Sequence, residues 1–183
     1  MRKQNHILYF AYGNNMLADT MLRRCGEPGP DSYTLLGPAR LDGYRLVFNT
    51  FSSDAGPKDS AESRQMKNHY SSGAVSSILP AQQDEPGCPV FGGLYAFSPD
   101  ILSLVDRAEA YPRLYDRRQL PVLLLHDSVS KTQLLSAWIY ISALPRAEVS
   151  PAPEYLDRLR RGAAELNLPG EYQNFLASFA VEC

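Results

Sequence analysis

Short runs of branched and aromatic residues, each bounded by Gly, Pro, Ser or Asp, limit most strongly what this 183-residue chain can fold into. Such runs are typical of β-strands, because β-branched and aromatic side chains pack well on a pleated surface. The middle of the protein is therefore predicted to be mostly β. The predicted strands are 7–12, Tyr33–Leu41, Tyr44–Asn49, Ala74–Leu79, Val90–Phe97, Gln119–Leu125 and Gln133–Ser142.

Helices are predicted near both ends of the chain and once between strands. Ser98-Pro99-Asp100 is a helix start, because it offers a capping hydroxyl, a proline at the first helical position and an acid in the first turn. The predicted helices are Met16–Arg24, Ser98 to about Ala110, Glu154–Asn167 and a short helix that ends near Phe179. The last two are expected to pack across the β part.

The length and the hydrophobic fraction of 44% favour one domain that spans residues 1–183 and buries a sizeable core. Within it, residues 52–72 consist mainly of small and polar residues, among them Ser, Asp, Lys, Glu and Gly, and almost lack aliphatic side chains. Such a segment cannot bury enough apolar surface to hold a fixed core position. We therefore expect a mobile polar loop over 52–72.

Charge and composition exclude several classes of partner. The formal net charge of −2 comes from 18 basic and 20 acidic residues spread along the chain, which predicts neither nucleic-acid nor membrane-surface binding. No apolar run approaches the roughly 20 residues that span a bilayer, and no secretory leader is evident. We expect a cytoplasmic protein with a small-molecule partner, and the choice between monomer and homodimer stays open.

Glu109 is the first candidate catalytic residue. It lies four residues after Val105 and seven after Leu102, on the apolar stripe of its helix. Burial would favour the neutral form of this carboxyl group and raise its pKa, which suits proton exchange near neutral pH. Alternatively, the helix frays there and Glu109 turns to water or pairs with an arginine. The nearby arginines are Arg113, Arg117 and Arg118.

Gly13 is the second candidate, because it ends an apolar strand and opens a helix. Backbone N–H groups in such a turn can bind an anion, and a glycine lets a ligand approach the backbone. The alternative is an ordinary turn in which Asn14 and Asn15 tolerate left-handed conformations. Three strand tyrosines, Tyr95, Tyr115 and Tyr140, could line a pocket, although strand tyrosines are more often packing residues.

Metal and nucleotide motifs are not found in the sequence. The histidines and the cysteines are spaced as neither a zinc site nor a disulfide scaffold. No glycine-rich phosphate loop and no nucleophile elbow occurs. Gly92-Gly93, inside a predicted strand, indicates a close backbone approach or a bulge.

Four segments, in order, resemble the γ-glutamylcyclotransferase-like family. The run from Tyr9 to Met16, YFAYGNNM, resembles its Y-F-A-Y-G-S-N-[LM] signature. The segments Val90–Tyr95 and Val105–Glu109 resemble its V-W-G-V-V-Y strand and L-D-x-x-E-G helix end. The tail from Ser150 to Tyr172 resembles its P-S-x-x-Y…G-A-x-E-x-G-L-P-x-E-Y pattern. The resemblance spans most of the chain outside 52–72.

The resemblance implies an α+β fold, a small mixed β-barrel with flanking helices, and a function. The family's enzymes are lyases of the acyltransferase type that cyclise a γ-glutamyl group to 5-oxoproline and release an amine, without metal or organic cofactor. Candidate substrates are γ-glutamyl amino acids, glutathione or a γ-glutamylated biosynthetic intermediate. By position in the motifs, Glu109 is the catalytic acid/base. The substrate-binding residues are expected to be Tyr12, Gly13, Asn14, Asn15, Met16, Leu17, Tyr115 and Tyr140.

Two residues depart from the family pattern. Asn14 stands where the family usually has serine, and Ala110 stands where a glycine follows the catalytic glutamate. The loop Ala110–Leu114 is one residue shorter than in the vertebrate enzyme that acts on γ-glutamyl amino acids. Two other functions stay open: a non-catalytic binding protein on the same fold, and an acid/base enzyme that acts on another amide.

Overall fold

Seven β-strands and four α-helices form the part of the chain that a computed structural model describes, residues 6–25, 33–55, 74–82, 88–125 and 132–179. The strands are β1 (Ile7–Ala11), β2 (Tyr33–Leu41), β3 (Tyr44–Thr50), β4 (Val75–Pro80), β5 (Val90–Phe97), β6 (Tyr115–Leu124) and β7 (Gln133–Ser142). The helices are α1 (Ala18–Arg24), α2 (Pro99–Ala108), α3 (Pro153–Glu165) and α4 (Gly170–Ser178). Two 3₁₀ turns cover Asn14–Met16 and Ser52–Ala55. The predicted α+β class is confirmed.

Five strands close into a barrel in the order β1-β5-β2-β6-β7. Neighbouring strands run antiparallel, except that β7 closes onto β1 in parallel with Trp138 opposite Tyr9. Strands β3 and β4 form a separate antiparallel ribbon. Because the barrel is closed, its strands are paired with neighbours on both sides and give the loops at its ends a hydrogen-bonded frame. The site described below lies at such an end, where β1 leaves the barrel.

Two glycines allow close approaches that shape this end of the barrel. A Cβ at Gly92 of β5 would lie 2.1 Å from the Ala11 carbonyl oxygen, so β1 and β5 meet where no side chain fits. This is the close backbone approach that the Gly92-Gly93 pair indicated. A Cβ at Gly162 of α3 would lie 2.8 Å from Met16 Cβ. Gly162 therefore lets α3 pack directly on the turn that follows β1.

Helix α2 carries the candidate acid because its apolar stripe is anchored in the core. Ile101 is 5% exposed and Val105 is fully buried. Ser98 is the N-cap residue, as predicted, but its side chain makes no capping hydrogen bond. The helix ends at Ala108, and Glu109 is the C-cap residue with its N–H bonded to the Val105 carbonyl at 2.9 Å. This hydrogen bond attaches the Glu109 backbone to the last turn of α2, so the helix positions Glu109 although the residue follows its end.

Three differences from the prediction go beyond a shift of one or two residues at the end of an element. Leu17 has extended dihedrals, so the predicted helix Met16–Arg24 is split into a 3₁₀ turn and α1. Strand β6 begins at Tyr115, four residues before the predicted start at Gln119. The prediction missed these residues because 116–118 are all charged and show no hydrophobic pattern typical of a strand. Ser52–Ala55, the start of the predicted mobile loop, forms a 3₁₀ turn with Ser52 buried. Residues 56–72 of that segment lie outside the described residues.

None of the helices in the described ranges is long and apolar enough to cross a membrane.

Candidate active site

A pocket of about 600 Å³, its open mouth included, lies between the turn after β1, the end of α2 and the β3–β4 ribbon. Five tyrosines in its lining are each at most 6% exposed, which makes the floor aromatic and buried: Tyr9, Tyr12, Tyr115, Tyr140 and Tyr155. Asn14, Arg24 and Glu109 also line the pocket and are half-buried, so they border solvent at the mouth. The lining is completed by Gly13, Asn15, Ser52, Val75, Ser76 and Leu114.

Gly13 is needed for close packing and not for a left-handed backbone. Its φ of −110° is accessible to any residue. A Cβ at Gly13, however, would lie 2.7 Å from Ser76 Oγ and 3.1 Å from Tyr155 OH. Both of these hydroxyl groups line the pocket. The glycine thus lets the turn after β1 close against the ribbon and α3.

Met16 and Leu17, predicted to bind substrate, do not line the pocket. Each is 1% exposed, because α3 packs over this turn at Gly162. Their backbone N–H groups are also used, since Met16 donates to the Gly13 carbonyl at 3.0 Å and Leu17 donates to the Asn14 carbonyl at 3.2 Å. Within the described ranges, the N–H groups of Gly13, Asn14 and Asn15 have no acceptor. The anion site expected from this turn is thereby reduced to those three donors.

Asn15 connects the turn to the candidate acid. Its Nδ2 donates to Glu109 Oε1 at 2.9 Å and to Tyr9 OH at 2.8 Å. Asn15 is 5% exposed, so these bonds are largely sheltered from water. A hydrogen bond to a charged group in such surroundings contributes more than one at the surface. The Glu109 carboxylate is therefore held at the pocket mouth by the turn that follows β1.

Two of the arginines considered as partners of Glu109 have other partners, and the third, Arg113, is exposed. Arg117 pairs with Asp106 at 2.8 Å and stacks on the rings of Tyr111 and Trp138. Arg118 lies 3.6 Å from Asp116. In the described part of the chain, Glu109 forms no ion pair. Its carboxylate is not neutralised by a neighbouring arginine side chain within salt-bridge distance.

Asn14 is oriented by helix α3. Arg158 Nε donates to Asn14 Oδ1 at 2.7 Å, and the same guanidinium donates to Thr20 Oγ1 at 2.6 Å. The carboxamide oxygen is thus turned toward α3, which leaves the amide nitrogen on the opposite side. At the position where the resembled family usually has a serine, the amide of Asn14 thus has a partner in α3.

The hydroxyl protons of three pocket tyrosines are taken by protein acceptors. Tyr12 donates to the Tyr140 carbonyl at 2.5 Å and Tyr115 donates to the Ser76 carbonyl at 2.7 Å. Tyr140 donates to Asp106 Oδ1 at 2.6 Å. These side chains can therefore meet a ligand with their rings and with oxygen lone pairs.

Burial keeps these tyrosines neutral. It raises the pKa of Tyr9, Tyr12, Tyr115 and Tyr140 above the ordinary value, and the Glu109 carboxylate adds to the rise at each of them. At Tyr9 the Arg24 guanidinium acts in the opposite direction. The positive charge of Arg24 thus acts on the Tyr9 hydroxyl group at the floor of the pocket.

Several lining residues were missed at the level of sequence. Tyr155 belongs to the tail segment that resembles the family, so a signal existed for it. Ser76 and Arg24 had none, because their approach depends on how the ribbon and α1 pack. Ser76 Oγ lies 2.6 Å from Tyr155 OH. Arg24 donates from Nη1 to the Ala108 carbonyl at 3.0 Å. Among the described residues, no group of His, Cys, Asp and Glu is arranged to hold a metal ion.

Comparison with known families identifies the class to which this fold and pocket belong. The family described as "Gamma-glutamyl cyclotransferase, AIG2-like" matches residues 9–157. The match spans more than half of the chain, so this protein belongs to that family. The resemblance drawn from the sequence motifs is confirmed.

Solved structures with a similar fold extend over nearly the whole chain. The human "uncharacterized protein loc79017" is 22% identical, with a TM-score of 0.74 over 97% of this chain and 89% of that one. A structure described as "Gamma-glutamyl cyclotransferase" is also 22% identical, with a TM-score of 0.74 over 97% and 90%. A yeast γ-glutamyl cyclotransferase specific to glutathione is 14% identical, with a TM-score of 0.59 over 93% of both chains. At these identities the likeness shows a shared fold. No curated protein matches the chain.

Proposed function

We propose that this protein is a γ-glutamylcyclotransferase in which Glu109 acts as general base and general acid. The reaction closes the γ-glutamyl group into 5-oxoproline and releases the amine that it carried. The observation that carries the proposal is the hydrogen bond between Asn15 Nδ2 and Glu109 Oε1. It holds a carboxylate at the mouth of a pocket that is otherwise lined mainly by neutral side chains.

Ring closure requires two proton transfers from the α-nitrogen of the substrate. Glu109 takes the first proton from the α-ammonium group, which frees the lone pair for attack on the γ-carbonyl carbon. A C–N bond forms and the carbonyl π-electrons move onto oxygen. Glu109 then gives its proton to the leaving nitrogen as the old C–N bond breaks. The second proton leaves the ring nitrogen through the same carboxylate and ends on the released amine.

The turn after β1 supplies donors for negative charge on the substrate. The N–H groups of Gly13, Asn14 and Asn15, which have no acceptor among the described residues, suit the α-carboxylate or the oxyanion of the tetrahedral intermediate. Loss of one such donor typically costs about 3–4 kcal/mol of transition-state stabilisation. Tyr12, Tyr115 and Tyr140 are proposed to surround the glutamyl carbons with their rings, since their hydroxyl protons are already bonded.

The proposal is tested with a panel of γ-glutamyl amides that includes γ-glutamyl amino acids, γ-glutamyl amines and glutathione. Release of 5-oxoproline and of free amine is measured together, and the two products are expected in equal amounts. Glutamate in place of 5-oxoproline would indicate attack by water, and hence an amidase. Binding of these compounds without turnover would support the non-catalytic alternative.

A further inference from the structure

Arg24 contributes a positive charge beside the proposed catalytic acid. It is the last residue of α1, it lines the pocket and it is half-buried at the mouth. Its Nη1 donates to the carbonyl of Ala108, the residue that precedes Glu109. A guanidinium has five N–H donors. Among the described residues only this one is used, which leaves donors for a ligand.

Among the described residues that line the pocket, the charged side chains are those of Arg24 and Glu109. Glu109 faces the α-ammonium group in the proposed reaction, and the turn after β1 offers N–H groups to the glutamyl carboxylate. The lining otherwise consists of neutral Tyr, Asn, Ser, Gly, Val and Leu residues. Arg24 is therefore left without a role in holding the glutamyl half of the substrate.

The chemistry of the leaving group supplies that role. Glu109 must lie within hydrogen-bond distance of the leaving nitrogen in order to protonate it. In a γ-glutamyl amino acid, the carboxylate of the leaving residue is only two bonds from that nitrogen. Arg24 is hydrogen-bonded to Ala108, the residue before Glu109, and lies at the pocket mouth. The leaving group would extend through this mouth to solvent. A guanidinium matches a carboxylate in charge and in geometry.

We propose that Arg24 binds the free carboxylate of the leaving amino acid and so selects γ-glutamyl amino acids over γ-glutamyl amines. This inference rests on the proposed cyclotransferase reaction and assigns its substrate class. It differs from two simpler roles for Arg24: a bond that only ties α1 to the end of α2, and a contact with the α-carboxylate of the glutamyl group. Neither of these roles distinguishes one leaving amine from another.

Two substrates that differ only in that carboxylate test the inference: γ-glutamylalanine and γ-glutamylethylamine. The value of kcat/KM is measured for wild type, Arg24→Gln and Arg23→Gln. Arg23 is the matched control, because it precedes Arg24 on α1, is 56% exposed and pairs with Asp19. Wild type and Arg23→Gln should prefer γ-glutamylalanine by about 10- to 100-fold, as expected for a charge-assisted hydrogen bond. Arg24→Gln should lose that preference and keep its rate on γ-glutamylethylamine within about threefold.

Each other outcome overturns the inference in a recognisable way. Equal losses of Arg24→Gln on both substrates would assign Arg24 to the glutamyl half or to structure. Equal rates of wild type on both substrates would refute the selection even if no Arg24 variant folds. Arg24→Lys, which keeps the charge, should retain part of the preference, and its failure to do so with a folded protein would argue against an ionic contact. Inactivity of wild type on both substrates, with inactivity on the whole panel, would refute the proposed function itself.

Discussion

Asn15 Nδ2 lies within hydrogen-bond distance of Glu109 Oε1, at 2.9 Å, and of Tyr9 OH, at 2.8 Å. One carboxamide thus joins the turn after β1, the end of α2 and the floor of the pocket. Because Asn15 is 95% buried, its removal would leave Glu109 Oε1 and Tyr9 OH without the donor that the protein supplies. The direction of the proposed catalytic carboxylate depends on this single side chain.

Asn15→Ala should therefore lower kcat/KM by tenfold or more and the free energy of unfolding by about 1–3 kcal/mol. The substitution leaves two acceptors, Glu109 Oε1 and Tyr9 OH, without their buried donor. Tyr9→Phe is the comparison, because it removes one of the two bonds and keeps the one to Glu109. It should cost about 1 kcal/mol of stability and less than tenfold in kcat/KM. Equal effects of both variants on kcat/KM would show that the Glu109 contact is not the important one.

Gly13→Ala should lower both stability and activity, because the new methyl group meets Ser76 Oγ at 2.7 Å. Adding Ser76→Ala removes that oxygen and should recover part of the lost stability. A double-mutant cycle measured by urea unfolding is expected to give a coupling energy of about 1–2 kcal/mol. Additive effects would mean that the two residues do not crowd each other, and any loss of stability would then point to Tyr155 OH, which lies 3.1 Å from the new methyl group.

Ala110→Gly should stabilise the protein by about 1 kcal/mol. Ala110 has a φ of +50°, in the left-handed region that costs a residue with a Cβ roughly 1–2 kcal/mol. Ala108→Gly is the matched control, since Ala108 lies in α2 and its replacement should destabilise by about 0.5–1 kcal/mol. Thermal unfolding of the two variants should shift the Tm in opposite directions. A lower Tm for Ala110→Gly would contradict a strained Ala110.

Alkaline pH should unfold the protein through its buried tyrosines. Burial in the folded state raises the pKa values of four pocket tyrosines, Tyr9, Tyr12, Tyr115 and Tyr140. A tyrosine in the unfolded chain has a pKa of about 10. At a pH above the pKa of the unfolded tyrosine, the unfolded state releases protons that the folded state retains. The free energy of unfolding therefore falls as pH rises, by up to about 1.4 kcal/mol per pH unit for each tyrosine. Below about pH 10 these groups contribute no pH dependence.

The measurement is urea unfolding between about pH 8 and pH 11, together with the absorbance of tyrosinate in the folded protein. Tyr9→Phe removes one of the four groups and should reduce the slope of stability against pH. Ionisation of every tyrosine near its ordinary pKa, with the fold intact, would contradict the burial of the pocket floor.

Sequence alone predicted those features that depend on local pattern. The strands β2, β5 and β7 have the predicted bounds because hydrophobic runs and turn residues mark their ends directly. The position of Glu109 followed from helical spacing, and its likeness to the family's motif suggested a role. Residues whose place depends on long-range packing were not recognised. Ser76 and Arg24 reach the pocket only because the ribbon and α1 pack there, and Met16 was assigned to the ligand although Gly162 of α3 covers it.

Asn14 illustrates the same limit. In the sequence it stands as a departure from the resembled motif, and its effect could not be derived there. The structure shows its oxygen bonded to Arg158, which follows it by 144 residues. Contacts between such distant residues follow from tertiary structure, which a local pattern does not encode.

Glu109 is proposed to transfer protons to and from the substrate, and Glu109→Gln tests this role. The amide keeps an oxygen that can accept from Asn15 Nδ2, so the fold should survive, but it cannot take up and return a proton. Glu154→Gln, the same change on an exposed residue of α3 outside the pocket, is the control. Circular dichroism is recorded for both variants, and 5-oxoproline release is followed on the best substrate of the panel. We expect Glu154→Gln to match wild type. A folded Glu109→Gln should lose about a thousandfold or more in kcat, which is on the order of what general acid–base catalysis contributes. Activity of Glu109→Gln within tenfold of wild type would contradict a proton-transfer role for Glu109.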